Sequence, residues 1–242
     1  MSTLKPNWHT APNVSAVTST REGGVSKAPF SGLNLGMHVS DNPADVEANR
    51  AQLAALANMP TAPVWLNQTH STVVANIATP TDVVIDADAS FTTQPGVVLS
   101  AMTADCLPIL LAAKDGTAVA AVHAGWRGLA DGIVENAVSL FETELQAWIG
   151  PAIGFDSFEV GEDVREAFCA SHSEYAIAFK PHSSSGKWLA DLASIAEMKL
   201  KSLGVNSVTQ SGLCTFKDPT RFYSYRRDGQ TGRMASFIWI NA

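Results

Sequence analysis

Between Ser100 and Gly132 a mostly apolar run, SAMTADCLPILLAAKDGTAVAAVHAGWRGLADG, carries a thiol, an imidazole, a carboxylate and a guanidinium at Cys106, His123, Asp105 and Arg127. A thiolate and an imidazole brought together either hold a transition metal or form a nucleophile and its base. LPILLAA, KDGT and AVAAVHA read as strand, turn and strand, because Asp-Gly between apolar runs is a strong hairpin signal. With Asp115 and Gly116 as the loop residues, Lys114 opposes Thr117, Cys106 opposes Gly125, and His123 lies diagonally from Cys106. Side chains alternate faces with period two, so Cys106 and His123 share a face. Diagonal partners sit roughly 7–8 Å apart at the backbone, within side-chain reach. Pro108 threatens this register, since a proline near a strand start can force a bulge.

A metal site needs a third donor, and NQTHS (Asn67–Ser71) offers His70 between two expected strands. Two imidazoles and one thiolate leave a fourth position open, the arrangement of catalytic zinc, with bonds of about 2.0–2.1 Å to nitrogen and 2.3 Å to sulfur. No compact CxxC or HExxH motif supports the set, so simpler readings stand beside it. Cys106 also reads as a small buried hydrophobe, His123 as a core histidine, Asp105 as a turn cap and Arg127 as a solvated helix start. Cys169 falls in an amphipathic helical pattern and reads as core, and Cys214 leans structural.

The elements that must position these groups alternate irregularly. Ser15–Thr20, Ala62–Gln68, Thr72–Ile77, Asp82–Asp86, Gly96–Met102 and Arg233–Ile240 carry the β-branched enrichment of strands. Asn42–Met59, Gly128–Leu145, Gly161–His172 and Leu189–Gly204 carry helical spacing. HSSSGK (His182–Lys187) reads as a surface loop within one domain. Irregular βα alternation disfavours a doubly wound parallel sheet, and mixed sheets flanked by helices fit better.

The bulk numbers narrow the function. A chain of 242 residues, 46% hydrophobic and 16% charged, has an ordinary globular composition, and one domain over 1–242 is expected. A net charge of −7 argues against a broad nucleic-acid-binding face. Three cysteines are too few for a disulfide framework and suit a reducing compartment. With no signal-peptide pattern and no run of eighteen apolar residues, a cytoplasmic protein away from membranes is expected.

REGGVS (Arg21–Ser26), GLNLGMHVSDNP (Gly32–Pro43), NQTHS, TADCLPILL, AVHAGWRG, IGPAIG and YSYRRDGQTGR together resemble one family, the YfiH-like or laccase-domain family. It is also named multicopper polyphenol oxidoreductase and purine nucleoside phosphorylase, and the likeness runs from about Arg21 to Arg233. The resemblance implies an α+β fold, a layered α/β/β/α sandwich with mixed sheets. It implies His70, Cys106 and His123 as metal ligands, usually for zinc, with copper as the alternative ion. It further implies phosphorolysis of adenosine, inosine and methylthioadenosine to free base plus ribose 1-phosphate or methylthioribose 1-phosphate, with adenosine deamination as a second activity. The implied partners are purine nucleosides and phosphate.

Under that resemblance Cys106, Asp105 and His123 are the candidate catalytic groups, Asp105 being the candidate acid–base partner although adjacent strand residues face opposite ways. For phosphate, GWRGLADG supplies Arg127 and a helix N-terminus, and Arg21 with Arg226–Arg227 could complete a cationic lining. Asn34, in the glycine-rich segment of Gly23, Gly24, Gly32 and Gly36, and Gln68 are candidate substrate contacts. Two other enzyme classes compete. Copper-dependent phenol oxidation by a multicopper centre needs more ligands than six histidines comfortably supply. A Cys–His hydrolase would use Cys106 as nucleophile and His123 as base, a chemistry linked in the family to editing of cell-wall precursors.

Overall fold

Every residue of Leu107–Ala113 and Val119–Ala124 is buried, which is why these runs are apolar throughout rather than alternating. In the computed structural model, which describes residues 2–170 and 172–241, they are the central strands of a six-stranded mixed sheet. Its order is Ser207–Gln210, Leu145–Ile149, Leu107–Ala113, Val119–Ala124, Ala89–Thr92 and Val74–Asn76. The outermost pairs are parallel and the inner ones antiparallel. A four-stranded antiparallel sheet, Thr3–Leu4, Val14–Ser19, Met234–Ile240 and Leu99–Thr103, stacks on it.

The pleat divides the core. Leu110, Ala112, Val119 and Ala121 pack between the sheets with Leu99, Ala101, Ile238 and Ile240. Leu107, Ile109, Leu111 and Ala113 face the other way, toward the helices Trp126–Asp131, Ile133–Val138, Glu162–Cys169 and Leu192–Ser202. On the far side the helix Pro43–Leu56 buries Leu53 with Trp65, Phe237 and Trp239. Its start is set by Pro43 in the first turn and by Asn42, whose side-chain oxygen accepts the Ala44 N–H. The result is the expected α+β layering, helix, sheet, sheet, helix, with an open mixed sheet stacked on an antiparallel one. No helix among the described residues is long and apolar enough to cross a membrane.

The hairpin has the expected register. Leu107 pairs with Ala124, Pro108 with His123, and so on without interruption to Ala112 with Val119. Pro108 causes no bulge, and its carbonyl accepts the Gly150 N–H at 2.9 Å. Only the turn differs: Ala113 N–H donates to Ala118 O, so Lys114–Thr117 form a four-residue loop with Gly116 at φ +75°.

A single helix over Gly128–Leu145 does not form. Gly132, at φ +107°, splits it into Trp126–Asp131 and Ile133–Val138, and Leu145 begins the strand Leu145–Ile149. A left-handed residue cannot continue an α-helix, and glycine adopts that conformation without a Cβ penalty. The helix expected from Leu189 starts at Leu192, because Lys187–Ala190 is a strand and the Asp191 carboxylate caps Ser194. Ala62–Gln68, Thr72–Ile77 and Asp82–Asp86 shorten to Leu66–Asn67, Val74–Asn76 and Ile85–Asp86. The Gly161–His172 pattern forms Glu162–Cys169; its Ser171 lies outside the described residues, as do Met1 and Ala242 of the expected 1–242 domain.

Candidate metal centre

Two loops and one strand deliver the donor atoms. Cys106 stands one residue before the strand Leu107–Ala113, in a turn where Asp105 has φ +96°. His123 lies in the strand Val119–Ala124. His70, at φ +63°, sits in the loop after Leu66–Asn67. The donor atoms of His70, Cys106 and His123 all lie within 4.8 Å of one another. His70 Nε2 is 3.7 Å from Cys106 Sγ, close to the ~3.5 Å that tetrahedral bonds of about 2.0 and 2.3 Å would set. The two imidazole rings meet edge to face with centroids 4.9 Å apart.

Asp88, which the sequence reading passed over, organises this cluster. Fully buried, it accepts from His123 Nδ1 at 2.8 Å and from the backbone N–H groups of Thr69, His70 and Ser71 at 3.1, 3.0 and 2.6 Å. The Ser71 hydroxyl also donates to it. One carboxylate thus fixes the His70 loop and leaves His123 Nε2 as the nitrogen available for a ligand, the usual support of a metal-binding histidine. Burial alone would raise the Asp88 pKa, but the donors from His123 and Ser71 hold it well below the usual carboxylate range.

The donor set fits a metal ion in a second respect. A Cβ on Gly125 would lie 2.4 Å from His70 Cδ2 and 3.2 Å from Cys106 Sγ, so the glycine of HAGW makes the room the His70 ring occupies. Without an ion the three side chains perturb one another. Burial pushes the Cys106 thiol up, but His123 and His70 outweigh it and bring its pKa down to about 6. Burial likewise disfavours charge on His123, yet the Cys106 thiolate and Asp88 raise it to about 9. A dication would displace these protons from thiol and imidazole.

The cluster lines a cavity of about 420 Å³, together with His38, Gln68, Met102, Thr103, Ala104, Tyr225 and Arg233, a size suited to a small organic ligand. Arg233 Nη1 is held by the carbonyls of Thr231 and Gly232, and the rest of its guanidinium has no hydrogen-bond partner among the described residues. Room for it comes from Gly36, where a Cβ would lie 2.8 Å from Arg233 Cγ. Burial, with Arg233, Arg50 and His123 nearby, lowers the pKa of His38 and keeps it a neutral imidazole.

The remaining sequence candidates are placed as follows. Asp105 turns away from the donor cluster: Oδ1 accepts from Thr215 Oγ1 at 2.6 Å, and Oδ2 from Ser224 Oγ and Arg226 N–H at 2.9 and 2.7 Å. Gln68 lines the cavity but pins both the N–H and the carbonyl of Met102. Asn34, fully buried, accepts from Gly36 and Arg233 N–H groups and donates to Asp41, so it supports Arg233 from behind. Arg21 donates to Pro219 and Ser31 carbonyls and covers the Tyr223 ring. Arg227 is bound to Asp228 and to the carbonyls of Thr215, Phe216 and Phe222. Arg127 is exposed, its guanidinium 4.3 Å above the Trp126 ring. Arg226 donates to the Glu159 carbonyl and borders a smaller cavity that also reaches Cys106. Sequence reasoning missed Asp88, Arg233 and Tyr225. Arg233 had a signal, a cation at the mouth of a buried strand, whereas Asp88 in IDADAS had none.

Comparison with known proteins follows the same lines. Residues 15–241 match the model of the family described as multi-copper polyphenol oxidoreductase laccase. Over 240 residues, 98% of each chain, the sequence is 48% identical to purine nucleoside phosphorylase PA4543 of Pseudomonas aeruginosa and 47% identical to purine nucleoside phosphorylase YfiH of Escherichia coli K12. The crystal structure of Neisseria meningitidis protein NMB0706, of family DUF152, superposes with a TM-score of 0.94 at 46% identity, covering 99% of both chains. YlmD from Geobacillus stearothermophilus superposes with a TM-score of 0.85 at 31% identity, covering 96% of this chain and 93% of the other.

Proposed function

The chain belongs to the multi-copper polyphenol oxidoreductase laccase family, and from that premise we propose that it is a zinc-dependent enzyme of purine nucleosides. Its reactions are phosphorolysis of adenosine, inosine and methylthioadenosine, together with adenosine deamination, carried out as one domain in the cytoplasm. The observation that carries this reading is the convergence of His70, Cys106 and His123 on the wall of a cavity that also holds Arg233. The phosphorylase names of relatives at 47–48% identity support the substrate class.

Two nitrogens and one sulfur with an open position suit zinc. His70, Cys106 and His123 would hold the ion, and the chemistry it would supply there is Lewis acidity and activation of water at neutral pH. The other tasks fall to side chains. Arg233 donates charge-assisted hydrogen bonds to phosphate. Neutral His38 adds a donor or acceptor without repelling the arginine. A phosphate oxygen bonds to C1′ while the C1′–N9 bond breaks, its electron pair leaves with the base, and the proton that hydrogen phosphate gives up ends on that base. Asp88 aims the His123 imidazole and holds the backbone of the His70 loop. Asp105, with both oxygens engaged, acts as a positioning residue that holds the Cys106 turn to Thr215 and Ser224.

A multicopper centre is disfavoured by the distribution of histidines. His172 pairs with Glu174 and His182 with Glu159, and among the described residues one cluster of three potential ligands exists. A second reading has one observation in its favour: the alignment Cys106, His123, Asp88 is that of a thiolate, a base and an orienting carboxylate.

Incubation of the purified protein with adenosine, with and without phosphate, followed by chromatography, tests the proposal. Free adenine formed only with phosphate means phosphorolysis, and inosine means deamination. Neither product, with rapid loss of the Cys106 thiol to an alkylating agent in protein as purified, would favour the hydrolase.

A further inference from the structure

Asn49 is a polar residue on an apolar stripe. With Val46 and Leu53 it makes the buried face of the helix Pro43–Leu56, and burying an amide is costly unless its hydrogen bonds are made. They are made, all to one stretch of chain. Oδ1 accepts the Val25 N–H at 2.8 Å, while Nδ2 donates to Ser26 Oγ and to the Asn34 carbonyl at 2.9 Å, with a longer bond of 3.3 Å to the Gly32 carbonyl. Its neighbour Arg50 donates from Nε and Nη2 to the Leu35 carbonyl at 3.0 and 2.8 Å, and its guanidinium lies 3.7 Å from the Trp65 ring centroid. Two adjacent helix residues therefore hold two consecutive carbonyls, those of Asn34 and Leu35.

The remaining groups of that segment grip a single residue. Asn34 Oδ1 accepts the Arg233 N–H at 2.9 Å, and the Leu35 N–H donates to the Arg233 carbonyl at 3.1 Å. Gly36 then passes beside the arginine stem, where a Cβ would lie 2.8 Å from Cγ. Three successive residues thus fix Arg233 at its N–H, its carbonyl and its stem, and two of them are tied to the helix. His38, which also lines the cavity, follows two residues later. We propose that Asn49 and Arg50 are positioning residues for the anion site: they hold Asn34–Gly36 as a clamp that aims the Arg233 guanidinium into the cavity. Neither residue lines that cavity, so their influence on an anion bound there runs through Arg233.

This inference rests on Arg233 as the phosphate-binding group of the proposed reaction, and equilibrium dialysis of inorganic phosphate against the protein as purified tests it apart from turnover, beside steady-state kinetics with inosine and phosphate. Arg50→Met keeps an apolar stem over Trp65 but no donor. It and Asn49→Ala should each weaken phosphate binding and raise the KM for phosphate roughly tenfold, within the ~100-fold that a misplacement of about 1 Å can cost. The KM for inosine and the metal content should stay near the parent's, which a general loosening of the fold would not allow. Arg50→Lys, which returns a donor to Leu35, should recover much of the loss. In an Arg233→Gln background neither substitution should weaken phosphate further, because residues acting through one group are not additive. Equal losses in the two backgrounds, parallel losses of metal or inosine affinity, or phosphate binding unchanged in both variants would overturn the clamp. Should Asn49→Ala fail to fold, Arg50→Met against Arg50→Lys decides. Phosphate binding that depends on Arg50 and Arg233 in a protein without nucleoside turnover would uphold the clamp and sink the assigned reaction. Phosphate-dependent turnover that neither variant alters would do the reverse.

Discussion

Two sets of polar side chains in this molecule look alike from composition alone. In the outer set, Asp105, Asn34, Arg21 and Arg227 have their donors and acceptors bound to other parts of the chain. In the inner set, His70, Cys106, His123 and Arg233 keep atoms directed at one cavity. Buried polar groups are normally satisfied, so spare hydrogen-bonding or ligating capacity, rather than residue type, separates binding machinery from scaffold. Asp88 joins the two sets: its oxygens are fully used, yet two of the groups it holds are the histidines.

This contrast breaks most visibly at Asp88. Asp88→Asn removes the charge behind His123 and weakens the grip on the His70 loop, and loss of such support costs metal affinity on the order of 10–100-fold. Competition with a chromogenic chelator measures it; unchanged affinity would mean that the histidines are positioned without Asp88.

The arginines sharpen the contrast next. Hydrogen bonds to charged groups contribute about 1.5–3 kcal/mol, so Arg233→Gln should raise the KM for phosphate on the order of tenfold or more. Arg127→Ala, removing a cation stacked on Trp126 outside the lining of the larger cavity, should raise it much less. The reverse order would place phosphate at the helix start at Gly125, beside Arg127.

Asp105→Asn separates scaffold from acid–base catalyst. As an anchor, the asparagine should retain metal and lower stability by about 1–3 kcal/mol in urea unfolding, because it leaves a buried donor mismatched. As a proton carrier, it would leave stability intact and abolish one limb of the pH–rate profile.

A smaller effect is the pH dependence of alkylation in metal-free protein. The Cys106 pKa is lowered, so the reactive thiolate persists as pH falls to about 6 and is lost below it. An ordinary thiol would already be mostly protonated below about pH 8.5. Asp88→Asn should move the midpoint upward by weakening the imidazolium that faces the thiolate.

Much of this arrangement was legible in the chain. The hairpin register follows from one Asp-Gly turn and period-two alternation, and it survives a four-residue loop because Ala113 still pairs with Ala118. The continuous burial of Leu107–Ala113 is written in its lack of polar residues. Gly132 was harder to read, since an isolated glycine inside an apolar period is compatible with a helix until its backbone angle is known. Asp88 was illegible for a deeper reason. Its five donors come from Thr69, His70, Ser71 and His123, brought together only when the strands Val74–Asn76, Ala89–Thr92 and Val119–Ala124 lie side by side.

Metal content tests the central claim most directly. Protein purified without added metal, analysed by mass spectrometry beside Cys106→Ala, should carry close to one zinc per chain, and the variant should carry almost none. A variant that keeps the parent's full complement would contradict the account, because the ion would then be held somewhere other than between His70, Cys106 and His123.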